Sequence, residues 1–99
     1  MEVKLNRESK KLTVFVKGRV DTNTSSILSK EVGDLDGVEE LVLDLKDCDY
    51  ISSAGLRVLI MFQNTMDDQG TFEIINVVKT VMDIFETTGL VDMFEIKAI

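Results

Sequence analysis

The chain has 99 residues, 44% hydrophobic and 29% charged, a balance that supports one core, leaves no room for a second, and is far from that of disordered chains. Eleven Lys and Arg against eighteen Asp and Glu give a net charge of −7, so the field of the protein repels nucleic acid and anionic lipid, and neither is expected as a partner. One cysteine and no histidine exclude an internal disulfide and remove the key group of the usual zinc, haem and Ser-His-Asp sites.

Val3 and Leu5, then Leu12, Val14 and Val16 beyond the polar turn Glu8-Ser9-Lys10-Lys11, alternate with a period of two. This predicts a β-hairpin with Thr13, Phe15 and Lys17 on its other side. Gly18 and Asp21 break the pattern, and Asp21 or Thr22 is the expected cap of a first helix carrying Ile27, Leu28 and Val32, with Gly33 and Gly37 at its exit. The run Leu41, Val42, Leu43, Leu45, interrupted by Asp44, predicts a central strand covered on one face or both. A polar break at Lys46, Asp47 and Asp49 leads into Tyr50-Ile51-Ser52-Ser53. Gly55, Val58, Leu59, Phe62 and Met66 then recur at helical spacing, with Arg57, Asn64 and Asp67 off that stripe. Gly70 closes this helix, residues 71–78 read as a strand, and Val81, Ile84 and Phe85 mark a short helix closed by Gly89. Residues 90–96 read as a last strand or short helix. The repeated strand and helix after the hairpin require right-handed crossovers. The expected fold class is therefore α/β: one domain over residues 1–99, with a mixed, mostly parallel β-sheet, an N-terminal antiparallel hairpin and packed α-helices. No apolar run is long enough to span a membrane and the first residues form no apolar signal region, so a cytoplasmic location is expected.

The glycines never form GxGxxG and none precedes Lys-Ser or Lys-Thr, so a glycine-rich nucleotide loop is absent and no cofactor is expected. Asp34, Asp36 and Gly37 are spaced too tightly for a calcium loop and read as an acidic turn, leaving no metal-ligand set. Asn23-Thr24-Ser25 matches the glycosylation sequon only by coincidence in a cytoplasmic chain. Cys48 stands between Asp47 and Asp49, whose charges raise a thiol's pKa, and an inert thiol is expected. Ser52 and Ser53 stand at a strand-to-helix junction, where a serine ordinarily caps the helix. A nucleophilic serine needs a base; without histidine only Lys or a carboxylate remains, and no motif places either. No catalytic residue, and hence no enzyme, is expected.

The run Tyr50-Ile51-Ser52-Ser53-Ala54-Gly55-Leu56-Arg57-Val58-Leu59-Ile60 resembles the signature of the anti-sigma factor antagonist family, the STAS domain. There a strand ends in a hydrophobic pair, an Asp or Ser, the phosphorylatable Ser, a small residue and Gly-Leu. Gly18-Arg19-Val20-Asp21 is similar to the family's turn before the first helix, residues 41–45 to its central strand, and residues 81–94 to its closing helix and Gly-Leu turn. The resemblance spans nearly the whole chain and implies the STAS fold. It places the phosphoacceptor on Ser53, with Ser52 where the family frequently carries aspartate, and matches Asp21 to the acidic residue beside the phosphorylation loop. It further implies an anti-sigma factor antagonist whose unphosphorylated form binds an anti-sigma factor, itself the serine kinase and the holder of ATP, and frees a sigma factor; a separate serine phosphatase resets it. The expected docking patch comprises Asp21, Thr22, Asn23, Ser52, Ser53, Gly55, Leu56 and Arg57, with Leu56 and Arg57 exposed beside the serines. The alternative is a constitutive STAS subunit of a larger signalling or lipid-transport assembly, in which the serines are only caps. The acidic surface favours a monomer.

Overall fold

The computed structural model describes residues 1–99. The elements are β1 (Glu2–Glu8), β2 (Lys11–Val20), α1 (Ser25–Val32), β3 (Glu40–Ile51), α2 (Ser53–Asp67), β4 (Thr71–Val77), α3 (Lys79–Thr87), a 3-10 turn (Leu90–Asp92) and β5 (Glu95–Ala98). The strands lie side by side in chain order, with β1 antiparallel to β2 and every later pair parallel. This is the mixed sheet with an N-terminal hairpin that the alternation predicts.

Register partners share a face, so Leu12–Leu41–Phe72 and Val14–Leu43–Ile74 form continuous apolar rows across β2, β3 and β4. Leu28 and Val32 of α1, Leu56, Leu59, Phe62 and Met66 of α2, and Val81 and Phe85 of α3 complete one buried cluster with these rows. Phe62, Phe72, Phe94 and Phe85 run through it edge to face, with ring centroids 6.1, 6.0 and 5.9 Å apart. Each right-handed crossover advances the sheet by one strand in the same direction, so all three helices fall on one face. The opposite face, with the row Lys4–Phe15–Asp44–Ile75, stays open; β3 is covered on one face, not on both.

Three further expectations are corrected. The polar stretch after Leu45 is not a break, because β3 continues to Ile51 through two bulges. The register passes from Phe15↔Asp44 to Lys17↔Asp47 and from Gly18↔Cys48 to Arg19↔Tyr50, each step adding one residue to β3. Strict alternation from Leu45 would have turned Asp47 and Asp49 into the core; the bulges turn Cys48 and Ile51 inward instead and leave both carboxylates in water. On α1 the inward face is Ser25, Leu28 and Val32, while Ile27 is 47% exposed. Residues 90–96 divide into the 3-10 turn and the start of β5.

Cys48 is buried and its thiol donates to the Tyr50 carbonyl at 3.5 Å. Burial pushes its pKa up, and the neighbouring Asp49 adds to the rise. The native protein is therefore expected to resist iodoacetamide at mildly alkaline pH and to take up one label only after denaturation, as mass spectrometry of both samples would register.

Candidate functional site

Val20 and Ile51 are register partners at the carboxyl ends of β2 and β3, so the segments that leave them emerge side by side. The Ser52 amide donates to the Val20 carbonyl at 2.8 Å and ties the two together. Ser52 is extended (φ −82°, ψ 174°) and caps α2: its hydroxyl accepts from the Gly55 amide at 3.3 Å and its carbonyl from the Leu56 amide at 2.9 Å. Ser53 is the first helical residue, its side chain is exposed, and its hydroxyl makes no hydrogen bond within the protein. Two adjacent serines thus differ in kind, one engaged and one free.

The facing loop is built by a reciprocal cap. Asp21 Oδ1 accepts from the amides of Asn23 (2.9 Å) and Thr24 (3.0 Å), while Thr24 Oγ1 accepts from the Asp21 amide at 2.8 Å and donates to the Arg19 carbonyl at 2.7 Å. The Asp21 carbonyl accepts from the Ser25 amide at 2.9 Å, so Asp21 closes the turn that leads into α1, but the N-cap of α1 itself is Thr24, whose side chain makes no cap bond; neither Asp21 nor Thr22 holds that position, because the chain makes one further turn before the helix starts. The Thr24 amide is the main cause that holds the Asp21 carboxyl below its ordinary pKa; the Thr24 hydroxyl, the Asn23 amide and Arg19 contribute less, and partial desolvation opposes them. The charged cap therefore persists above the ordinary carboxylate range and is lost only on acidification through the lowered value. Arg19 lies over the Tyr50 ring, 4.4 Å from its centroid.

Of the residues expected in the patch, Thr22, Asn23, Ser53 and Arg57 are exposed, and Asp21 and Ser52 are half-buried with their polar atoms engaged locally. Leu56 is buried at 5% exposure and belongs to the core, because it stands three residues before Leu59 on the sheet-facing side of α2. Gly55 is also buried and offers no side chain. A Cβ there would meet Val20 Cγ1 and Ile51 Cγ2 at 2.8 Å and the Val20 carbonyl oxygen at 3.0 Å, so its bareness lets α2 close onto the two strand ends. Gly55→Ala is expected to cost about 1–3 kcal/mol, read from urea unfolding at constant m. In the sequence Thr24 stands out only within the Asn23-Thr24-Ser25 match; its structural role is signalled by the Asp-x-x-Thr spacing, whereas nothing local signals the Val20 carbonyl.

The family model described as "Mlab, STAS domain" matches residues 3–95. The anti-sigma-B factor antagonist of Listeria monocytogenes is 31% identical over 101 residues, which cover 98% of this chain and 87% of that protein. The chain belongs to the STAS family of anti-sigma factor antagonists. Solved STAS structures share its fold. An anti-sigma factor antagonist from Mycobacterium paratuberculosis superposes with a TM-score of 0.86 at 21% identity, covering 97% of this chain and 84% of that one. The antagonist SpoIIAA in its unphosphorylated form superposes with a TM-score of 0.83 at 14% identity, covering 99% and 89%. SpoIIAA from Bacillus is also solved in its phosphorylated form, at a TM-score of 0.75 and 13% identity, covering 99% and 92%. No helix of this STAS domain is long and apolar enough to cross a membrane.

Proposed function

We propose that this STAS domain is a non-enzymatic, cytoplasmic partner switch: unphosphorylated, it binds an anti-sigma factor and so frees a sigma factor; phosphorylated on Ser53, it lets the anti-sigma factor go. The observation that carries the reading is the contrast between the engaged Ser52 hydroxyl and the free, exposed Ser53 hydroxyl. A kinase acting on this corner finds an unencumbered acceptor at Ser53, whereas phosphorylating Ser52 would first break the α2 cap. Membership of the antagonist family and the fold shared with SpoIIAA, solved in both phosphorylation states, support the assignment. Thr22, Asn23 and Arg57 form the exposed surround that contacts the partner, and Asp21 and Ser52 position it. The kinase, the anti-sigma factor itself, brings the ATP, and a separate serine phosphatase resets the switch.

The test is to incubate the purified chain with ATP and the anti-sigma factor kinase of the same organism, then map the phosphate by mass spectrometry. Wild type and Ser52→Ala are expected to carry it on Ser53, and Ser53→Ala to carry none; phosphate on Ser52 would overturn the assignment. A second reading is a constitutive STAS subunit of a larger signalling or lipid-transport assembly, in which the serines only cap α2, as Ser52 does. It predicts no phosphate on any variant and a stable complex with the same proteins whether residue 53 is Ala or Asp.

A further inference from the structure

We propose that the anti-sigma factor grips this domain at two points, Ser53 and its surround being the first and the concavity beside Met61 the second. The inference rests on the switch reading above and adds a contact that phosphorylation does not reach. Met61 is 55% exposed in the middle of a helix, more than any other large apolar side chain except the terminal Ile99. It stands eight residues from Ser53, about 12 Å along α2, with exposed Arg57 midway, so the three share one solvent-facing stripe. Next to Met61 is a concavity of about 240 Å³ between α2 and the end of α1, with Ser29, Leu35, Phe62 and Thr65 in its wall. Leu35 and Phe62 are buried core residues, so the floor is apolar and firm, while the flexible thioether of Met61 can adapt to what enters.

The size of a stable interface connects the two points. A standard one takes about 800 Å² from each partner, equivalent to a disc of about 16 Å radius. Ser53 lies at the strand-end pole of the domain, and a footprint of that size over it runs along the helical layer far enough to include Met61. The charge around the concavity describes the occupant. Asp34 lines the concavity, and exposed Glu31, Asp36, Asp67 and Asp68 flank it in the chain against one exposed cation, Lys30; none of these carboxylates takes part in an ion pair, so the net charge at this end is negative. The partner element is therefore an apolar side chain flanked by Lys or Arg. Met61 stands about 12 Å along α2 from Ser53, so the desolvation cost of a phosphate on Ser53 falls on the first contact and leaves the apolar second contact in place. Phosphorylation thus releases the partner by weakening the first contact alone, and Met61 scales the affinity in both states.

The experiment measures the affinity of the purified anti-sigma factor for Met61→Asp, Met61→Ala, Ser53→Asp and, as a control on the open sheet face, Phe15→Asp. Each variant is first checked for native thermal unfolding. Met61→Asp is expected to bind at least about tenfold more weakly and Met61→Ala about fivefold, with Phe15→Asp within about twofold of wild type. The Met61 factor is expected to recur unchanged when Ser53→Asp is combined with it. If Met61→Asp unfolds, Met61→Ala decides, since alanine is the better helix former. Both Met61 variants binding like wild type while Ser53→Asp is weakened would overturn the second contact and leave the switch standing. Weakening by Met61→Asp together with wild-type binding by Ser53→Asp would instead overturn the switch.

Discussion

Ser53→Asp is expected to bind the anti-sigma factor about two to three and a half powers of ten more weakly than wild type, with no loss of its own stability. In the free domain the new carboxylate stands at the first position of α2, where the free amides and the helix dipole favour an anion and the first turn holds no acidic residue. Exposed Ser53 leaves that charge in water, so the fold bears no desolvation cost, and the melting temperature is expected to match or exceed that of wild type. The cost arises when a partner covers the residue. A buried charge without a counter-charge costs about 3–5 kcal/mol, and each tenfold in affinity corresponds to about 1.4 kcal/mol. Phosphoserine carries about −1.5 to −2 charges and is expected to exceed the aspartate effect. Calorimetric titration of both forms, with Ser53→Ala as the neutral control within a few-fold of wild type, checks this; equal affinities for Asp and Ala would sink it.

Gly70→Ala is expected to be the most damaging single-methyl addition in the chain, although the residue is exposed. Around it the end of α2 is stitched to the loop before β3: Gln69 Nε2 donates to the carbonyls of Leu35 (2.6 Å) and Val38 (2.8 Å) and Thr71 N to Glu39 O (2.9 Å), while Gly70 N closes the helix end on Met66 O (2.7 Å). A Cβ on Gly70 would overlap the Glu39 carbonyl oxygen and come within 2.6 Å of its carbon and 2.9 Å of its Cα. These are backbone atoms with no rotamer to retreat into, so the chain must lift off Glu39. That breaks the Thr71 bond and disturbs the first rung of the β3–β4 pairing, Glu40↔Thr71. The expected loss is about 3 kcal/mol or more, a fall in melting temperature of about 12 °C or more for a domain of this size. Thermal unfolding beside an Asp68→Ala control, expected within about 0.5 kcal/mol of wild type, reads the difference.

Much of this architecture is legible residue by residue. The period of two in Val14 and Val16 and the helical spacing of Leu59, Phe62 and Met66 each name an element and its inward face, and the strand–helix order then leaves few topologies. The same logic, applied to Leu56, already places it inward, three residues before Leu59; its nearness to Ser53 along the chain is not nearness on the surface. The bulges in β3 are hidden because charged residues interrupt the alternation there, and a strand that stops and a strand that changes phase look alike locally. Which face of the sheet is covered depends on the direction of successive crossovers, a property of the whole chain. Adjacent Ser52 and Ser53 form an obvious pair in sequence, but which one caps turns on where the first helical residue falls. A one-residue difference of that kind is decided by the docking of Gly55 against Val20 and Ile51.

Between Phe15↔Asp44 and Val20↔Ile51, β3 uses two more residues than β2 to cover the same distance. The strand thus holds slack just upstream of the serine pair. A residue lost between Lys46 and Asp49 can be taken up by erasing one bulge, with Ile51 still opposite Val20, whereas a residue lost between Leu41 and Leu45 has nothing to absorb it and shifts the rows that meet the helices. Chain length can drift in one short stretch of the sheet without the shift reaching the switch corner.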